Sequence, residues 1–388
     1  MMSAFATLAW TALAVLLYVY IVYPALLALL ARFRTRVVTR KNIAPSVTLI
    51  ISAYNEERTI EKKLRNTVAL DYPKEQLEIL VVSDASTDKT DEIVAGFAGQ
   101  GVKLLRQARR QGKTAGLNAA VRAARGDVLV FSDANILYRT DAVGRLVQSF
   151  ADPSVGCVTG DSRYDEDEVS QAHAQENAYW GYERFIRAME SRLGSTVGGD
   201  GAIFAIRRGL YTPLAADAIN DLMTPLQIVL GGHRAVFEPE AVGFEPTAGD
   251  FRGEFRRKRR IVNRSWHAVM SVPQALSIPR MGCFAWQVWS HKVLRWLALP
   301  LVLLGALGCI FAAPLGLVYR LGAWGFAASV ALALFGAIIP ESAGRWSRLP
   351  HTALYFYLVN VAALLGIISA MAGRVETFWT PEREKART

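Results

Sequence analysis

Cysteine is scarce in this chain: Cys157, Cys283 and Cys309 are the three in 388 residues, and their spacing matches neither a zinc site nor a disulfide framework. A disulfide-stapled domain is thereby excluded, and a reducing compartment suits the middle of the chain. Charge is missing altogether from residues 1–31. With no positive n-region, this stretch does not read as a cleaved signal peptide, and residues 5–31 are long enough to cross the roughly 30 Å hydrocarbon core. No Gly-x-Gly-x-x-Gly follows the first expected strand, so a dinucleotide-binding fold has no support. Gln111-Gly112-Lys113-Thr114 is similar to the end of a Walker A loop, but Gln107 stands where that loop needs glycine. The formal charge of +10 is accompanied by no nucleic-acid-binding motif, which excludes nucleic acid as the partner.

What the chain does have is apolar residues, at 52% of the whole, with a mean hydropathy of +0.20. They concentrate at the two ends. Beyond 1–33, a transmembrane helix, residues 299–373 contain three further expected spans at 299–318, 321–339 and 352–371. Residues 282–298 read as an amphipathic interfacial helix, with Trp286, Trp289, Val293, Trp296 and Leu297 on one side and Gln287, His291 and Arg295 on the other. Arg32, Arg34, Arg36, Arg40 and Lys41 follow the first span, so the positive-inside rule places the middle of the chain, 45–275, in the cytosol. The expected protein is integral to the plasma (inner) membrane, with a basic tail at 374–388 whose side of the membrane is left open. Spans this few, without intramembrane ionisable pairs, argue against an independent transporter.

The middle alternates. Strands are expected at 47–51, 77–82, 102–105 and 128–131, and helices at 57–70, 88–97 and 114–125, the second opened by Ser86 and Thr87. This is an α/β pattern with a mainly parallel central sheet. Asp133 closes the fourth strand, with Asn135 two residues on. Alone, Asp133 reads equally as a turn cap or as a ligand of Mg²⁺ or Mn²⁺. Tyr54 and Asn55 follow the first strand, Asp84 the second and Lys113 the third, however, and in a parallel sheet all these loops open on one edge. That convergence favours a ligand site.

Ser52-Ala53-Tyr54-Asn55-Glu56-Glu57, Val82-Ser83-Asp84-Ala85-Ser86-Thr87-Asp88, Gly112-Lys113-Thr114-Ala115-Gly116-Leu117-Asn118 and Ser132-Asp133-Ala134-Asn135 resemble successive motifs of the membrane-embedded family 2 glycosyltransferases. That family includes cellulose, hyaluronan and chitin-oligosaccharide synthases and has the GT-A fold. The resemblance runs from about residue 47 to 266. It implies that Tyr54 and Glu56 line the base and ribose pocket, that Asp84 contacts the nucleoside, that Lys113 reaches the diphosphate and that Asp133 binds the metal. Asn135 stands where the family has a second metal carboxylate. A neutral amide can still ligate, more weakly, so Asn135→Asp is expected to lower the metal requirement.

In the second half, aromatic residues along the helix expected at 165–193 read as core. Gly198-Gly199-Asp200-Gly201-Ala202 resembles the family's acceptor-facing loop, and Asp221, at a helix start capped by Asn220, resembles its general base. The family's Gln-x-x-Arg-Trp is absent. In its place Arg260, Arg264 and Trp266 either cover the leaving diphosphate and stack on the acceptor sugar, or belong to a lipid-facing basic patch. The resemblance implies an inverting transfer from a nucleotide-diphosphate sugar, most simply a UDP-sugar, with Mg²⁺ or Mn²⁺, to a glycan or lipid-linked acceptor beside membrane lipid. A processive synthase that exports its product is the competing form, and a non-catalytic nucleotide-binding scaffold the competing class.

Overall fold

The computed structural model describes residues 2–164, 171–245, 251–340 and 345–376. Its sheet grows from the apolar runs. Strands β1 (Val47–Ala53), β2 (Leu77–Ser83), β3 (Val102–Arg106) and β4 (Val128–Asp133) pair in parallel, with Val47 opposite both Leu77 and Val128. Helices cover both faces, so successive residues enter different cores: Leu49 and Ile51 pack with Val81 and Val130, while Ile50 packs with Leu80, Leu129 and Phe131.

The second half reverses direction. β5 (Leu137–Tyr138), β6 (Val155–Tyr164), β7 (Ile203–Arg207) and β8 (Arg234–Glu245) complete one sheet of order β3-β2-β1-β4-β7-β6-β8-β5. β7 lies antiparallel to both β4 and β6, and β6 and β8 are parallel to each other. The two reversals cancel, so β6 and β8 point the same way as β4. The carboxyl ends of β4, β6 and β8 and the amino end of β7 therefore share one edge with the ends of β1 to β3. The sheet is mainly parallel, as expected, with β5 and β7 running against the other strands, and its polar ends converge.

Helix boundaries are tighter than expected, at Ile60–Val68, Thr90–Ala95 and Lys113–Ala123. The opening of the second is held by Asp88, which accepts the Thr90 N–H at 3.0 Å, rather than by Ser86 or Thr87. The helix expected from 165 is described from Gln171 to Leu193, and its first residues lie outside the described ones. Asn220 is not a cap either. The helix Asn220–Leu230 already contains it, Ile219 precedes it with no side-chain cap bond, and Asn220 is buried.

Among the described residues, four helices are long and apolar enough to cross a membrane: Met2–Phe33, Ala298–Leu315, Leu317–Ile338 and Arg348–Met371. The last packs directly on the basic helix Phe251–Ser271. A Cβ at Gly366 would stand 2.6 Å from the Arg259 carbonyl oxygen, so only glycine permits this approach, and Asn263 Nδ2 donates to the Gly366 carbonyl at 3.2 Å. The tail's described part is anchored there as well, Arg259 pairing with Glu376 at 2.7 Å, while residues beyond 376 lie outside the described ones.

The interfacial segment is helical in short pieces, Cys283–Gln287, Val288–Val293 and Leu294–Trp296. Its polar side turns inward rather than to water, because carboxylates wait there. His291 is 1% exposed, its Nδ1 2.8 Å from Glu190 Oε1 and its Nε2 3.0 Å from Glu183 Oε2. Both ring nitrogens thus lie within hydrogen-bond reach of a carboxylate from the helix Gln171–Leu193. Arg295 also pairs with Glu183, and Tyr23 of the first membrane helix donates to Glu190 at 2.6 Å. Burial would raise the Glu183 carboxyl, but Arg295, His291 and Lys292 outweigh it and hold it well below the usual range.

Candidate active site

The convergent edge opens on a cavity of about 1040 Å³. At one end, β2 delivers Asp84. Its Oδ1 accepts Gln107 Nε2 at 2.9 Å and the Gln111 N–H at 2.7 Å, and its Oδ2 accepts the Gly112 N–H at 2.8 Å. Asp84 thus folds the loop leading into helix Lys113–Ala123, keeping one lone pair of Oδ2 for a ligand. Gly116 makes room for this arrangement: a Cβ there would lie 3.0 Å from Gln107 Nε2. Tyr54 faces the Arg110 guanidinium at 3.8 Å from its ring centre, and Glu56 is buried, its Oε2 accepting Thr59 Oγ1 at 2.6 Å. Gln107 and Gly116 were missed as site residues. The only signal for Gln107 was its failure to be a Walker glycine.

At the end of β4, Asp133 Oδ1 contacts the Lys113 ammonium and accepts Ser52 Oγ at 3.3 Å. Asn135 lines the cavity two residues on. The Asp133 and Asn135 oxygens are hard donors, and a lysine ammonium already resting on Asp133 marks it as a cation-binding carboxylate; the set fits Mg²⁺ or Mn²⁺. Behind this loop Lys63 is wholly buried, its Nζ 3.9 Å from the Tyr138 ring centre and without a hydrogen-bond partner among the described residues. Burial lowers its pKa to about 7, with Asp133 pulling it back up. Glu245, which ends β8, also lines the cavity. Burial, reinforced by Asp200 and Asp133, pushes its carboxyl up to about 8. It too was missed, because its place on this edge depends on the antiparallel insertion of β7.

At the far end stands Asp221. Its carboxyl borders the cavity, Oδ1 has no hydrogen-bond partner among the described residues, and Gly201 leaves space beside it, a Cβ there standing 3.4 Å from Oδ2. Burial raises its pKa, Asp200 adds to the rise, and Lys113, Arg264 and Lys292 oppose it. The Gly199 N–H donates to the Asp221 carbonyl at 2.6 Å, fixing the glycine loop on the helix start. Asp200 is committed to the framework: Oδ2 accepts Ser162 Oγ at 2.6 Å and Oδ1 accepts the Ala202 N–H at 3.2 Å.

Arg260 and Arg264, four apart on helix Phe251–Ser271, share the face that lines the cavity. Burial lowers Arg260 to about 10, assisted by Arg264, so it keeps its charge at neutral pH. Trp266, two residues from Arg264, is not among the residues that line the cavity; its ring centre lies 6.3 Å from that of Trp296, which does line it, and it packs against Val262 and Ile367. Tyr54, Glu56, Asp84, Lys113, Asp133, Asn135, Gly199, Asp200, Asp221, Arg260 and Arg264 all border the one cavity.

The model of Glycosyl transferase family 2 matches residues 48–213. A mannosyltransferase from Pyrobaculum calidifontis, solved in complex with GDP-Man and Mn²⁺, superposes with a TM-score of 0.72 at 25% identity, covering 95% of this chain and 99% of that one. The beta-monoglucosyldiacylglycerol synthase of Nostoc sp. is 33% identical over 118 residues, 29% of this chain and 25% of that protein. The poly-beta-1,6-N-acetyl-D-glucosamine synthase of Staphylococcus aureus is 26% identical over 202 residues, 50% of this chain and 48% of its own. The chain therefore spans between a quarter and a half of the length of these curated relatives.

Proposed function

We propose that this glycosyltransferase of GT-A fold, whose residues 48–213 match the model of Glycosyl transferase family 2, moves one sugar, with inversion, from a nucleotide-diphosphate sugar to the hydroxyl of a lipid-borne acceptor at the cytoplasmic face of the membrane. The observation that carries this reading is the continuity of the cavity. It passes from Asp84, Lys113 and Asp133, by Asp221, to Phe356, Val359 and Ala363 on the membrane helix Arg348–Met371. A polar donor chamber that opens onto an apolar wall suits an acceptor held in lipid.

Each residue then has a task. Tyr54 and Asp84 hold the nucleoside end, and Lys113, Arg260 and Arg264 surround the diphosphate with positive charge. Asp133 and Asn135 would hold the divalent ion, which when bound neutralises charge on the departing diphosphate. Asp221 accepts the proton of the attacking hydroxyl through its unpartnered Oδ1. No acid is needed, since a nucleoside diphosphate leaves without protonation when its charge is balanced.

The test is to offer the purified full chain a panel of UDP- and GDP-sugars with Mg²⁺ or Mn²⁺ and membrane lipid extract. The expected product carries a single sugar and partitions into organic solvent. A ladder of water-soluble polymer would replace this reading with a processive synthase, and absence of transfer from every donor would overturn it.

A further inference from the structure

We infer that Glu245 supplies the donor-site metal with the carboxylate that Asn135 lacks; this rests on the metal-assisted reading of the same site. The placement follows from register. β5 pairs antiparallel with β8, Leu137 opposite Phe244 and Tyr138 opposite Gly243. One step further along this ladder brings Ile136 opposite Glu245, so β8 ends beside Asn135. Since β8 and β4 run in the same direction, Asp133 and Glu245 leave the sheet at the same edge, and both line the cavity.

The charge balance points the same way. Asp133 with a neutral amide brings one negative charge to a dication, and a second carboxylate restores the count of two that hard cations favour. The other acids nearby are spoken for. Asp200 spends both oxygens on Ser162 and on the Ala202 N–H. Asp221 stands with its unpartnered oxygen at the acceptor end, where a base is needed. Glu245, half-buried on the same cavity wall, feels the negative charge of Asp200 and Asp133, which Arg257 and Lys113 offset only in part. A dication held by Asp133 and Glu245 would relieve that repulsion.

The experiment measures Mn²⁺ binding to the full chain in detergent, by the electron paramagnetic resonance signal of free Mn²⁺, with saturating GDP or UDP present. Glu245→Gln is expected to weaken Mn²⁺ about 10- to 100-fold. Asn135→Asp in that background is expected to recover most of the loss, because the charge is returned two residues from Asp133. Asp133→Asn serves as the reference. A Mn²⁺ affinity unchanged in Glu245→Gln, with Asp133→Asn clearly weakened, overturns the role of Glu245 and leaves the metal site standing. An affinity unchanged in Asp133→Asn removes the metal site itself. Should Glu245→Gln not fold, Asn135→Asp alone decides: with Glu245 already in place it gains little, and a full gain in affinity refutes the inference.

Discussion

Replacing Asp221 with Asn tests the centre of the mechanism, since the change keeps the shape of the side chain and removes only its ability to take a proton. Nothing in the fold needs the charge: Oδ1 has no partner, and the bond that fixes the glycine loop uses the backbone carbonyl of Asp221. A positioned general base contributes roughly 10²- to 10⁴-fold. At about 1.36 kcal/mol per factor of ten, that is about 2.7–5.4 kcal/mol of transition-state stabilisation. Donor affinity should stay as it is, because Asp84, Lys113 and Asp133 are untouched. The pH dependence follows from the raised pKa, caused first by burial and next by Asp200. The base works only when ionised, so kcat/KM should fall as pH drops through a value above the ordinary carboxylate range. Stability moves the other way. A carboxyl whose pKa is raised by folding destabilises the fold at every pH above that value, so Asp221→Asn should melt no lower than the parent at pH 8. Any advantage should vanish as pH falls to where both states bind the proton. Sugar transfer is followed by released nucleoside diphosphate, and unfolding by a thermal scan in detergent. Turnover within about tenfold of the parent would refute the assignment. So would a melting point lowered at pH 8, which would mean the carboxylate is structural.

Two further changes probe the ends of the site. Gly116→Ala puts a methyl 3.0 Å from Gln107 Nε2 and 3.3 Å from Val82 Cγ2, displacing the amide that Asp84 holds. Losing a hydrogen bond to a charged acceptor costs about 1.5–3 kcal/mol, so the donor Kd should rise roughly ten- to a hundredfold; equal binding by calorimetry would contradict this role for Gln107. His291→Leu leaves Glu183 and Glu190, 3% and 0% exposed, without the ring nitrogens that lie 3.0 and 2.8 Å from them. Breaking a buried pair in this way costs about 3–5 kcal/mol, read as a lower unfolding midpoint in denaturant, and a midpoint that does not move would mean that Arg295 and Tyr23 suffice.

How much of this is legible in the sequence depends on what sets each feature. Asp84, Lys113 and Asp133 were readable because each follows an apolar run, and the edge of a parallel sheet gathers such positions whatever the details of packing. The reversal at β7 was not, because Ile203–Arg207 has the same period of two in either direction, and its partner is chosen by the length of the intervening helix. Glu245 went unseen for that reason: only the cancelling reversals bring the end of β8 back to the Asp133 edge. The polar side of the interfacial segment misled in the same way. Gln287, His291 and Arg295 have the spacing of a water-facing stripe, and nothing local says that two carboxylates of another helix will cover it.

Such long-range contacts also tie the first apolar helix to the sheet domain. The first membrane helix reaches Glu190 through Tyr23, Glu190 and Glu183 hold His291 and Arg295 from the other side, and Lys292, next in the chain, lies with its Nζ 3.9 Å from where a Cβ of Gly198 would be. The loop that carries Gly199, Asp200 and Gly201 beside Asp221 is therefore backed by a residue of the interfacial segment, whose own position depends on a buried charge network shared with the first membrane helix. Lys292 also opposes the rise in the Asp221 pKa. A shift of the interfacial segment relative to the sheet would withdraw that cation and leave the base harder to ionise.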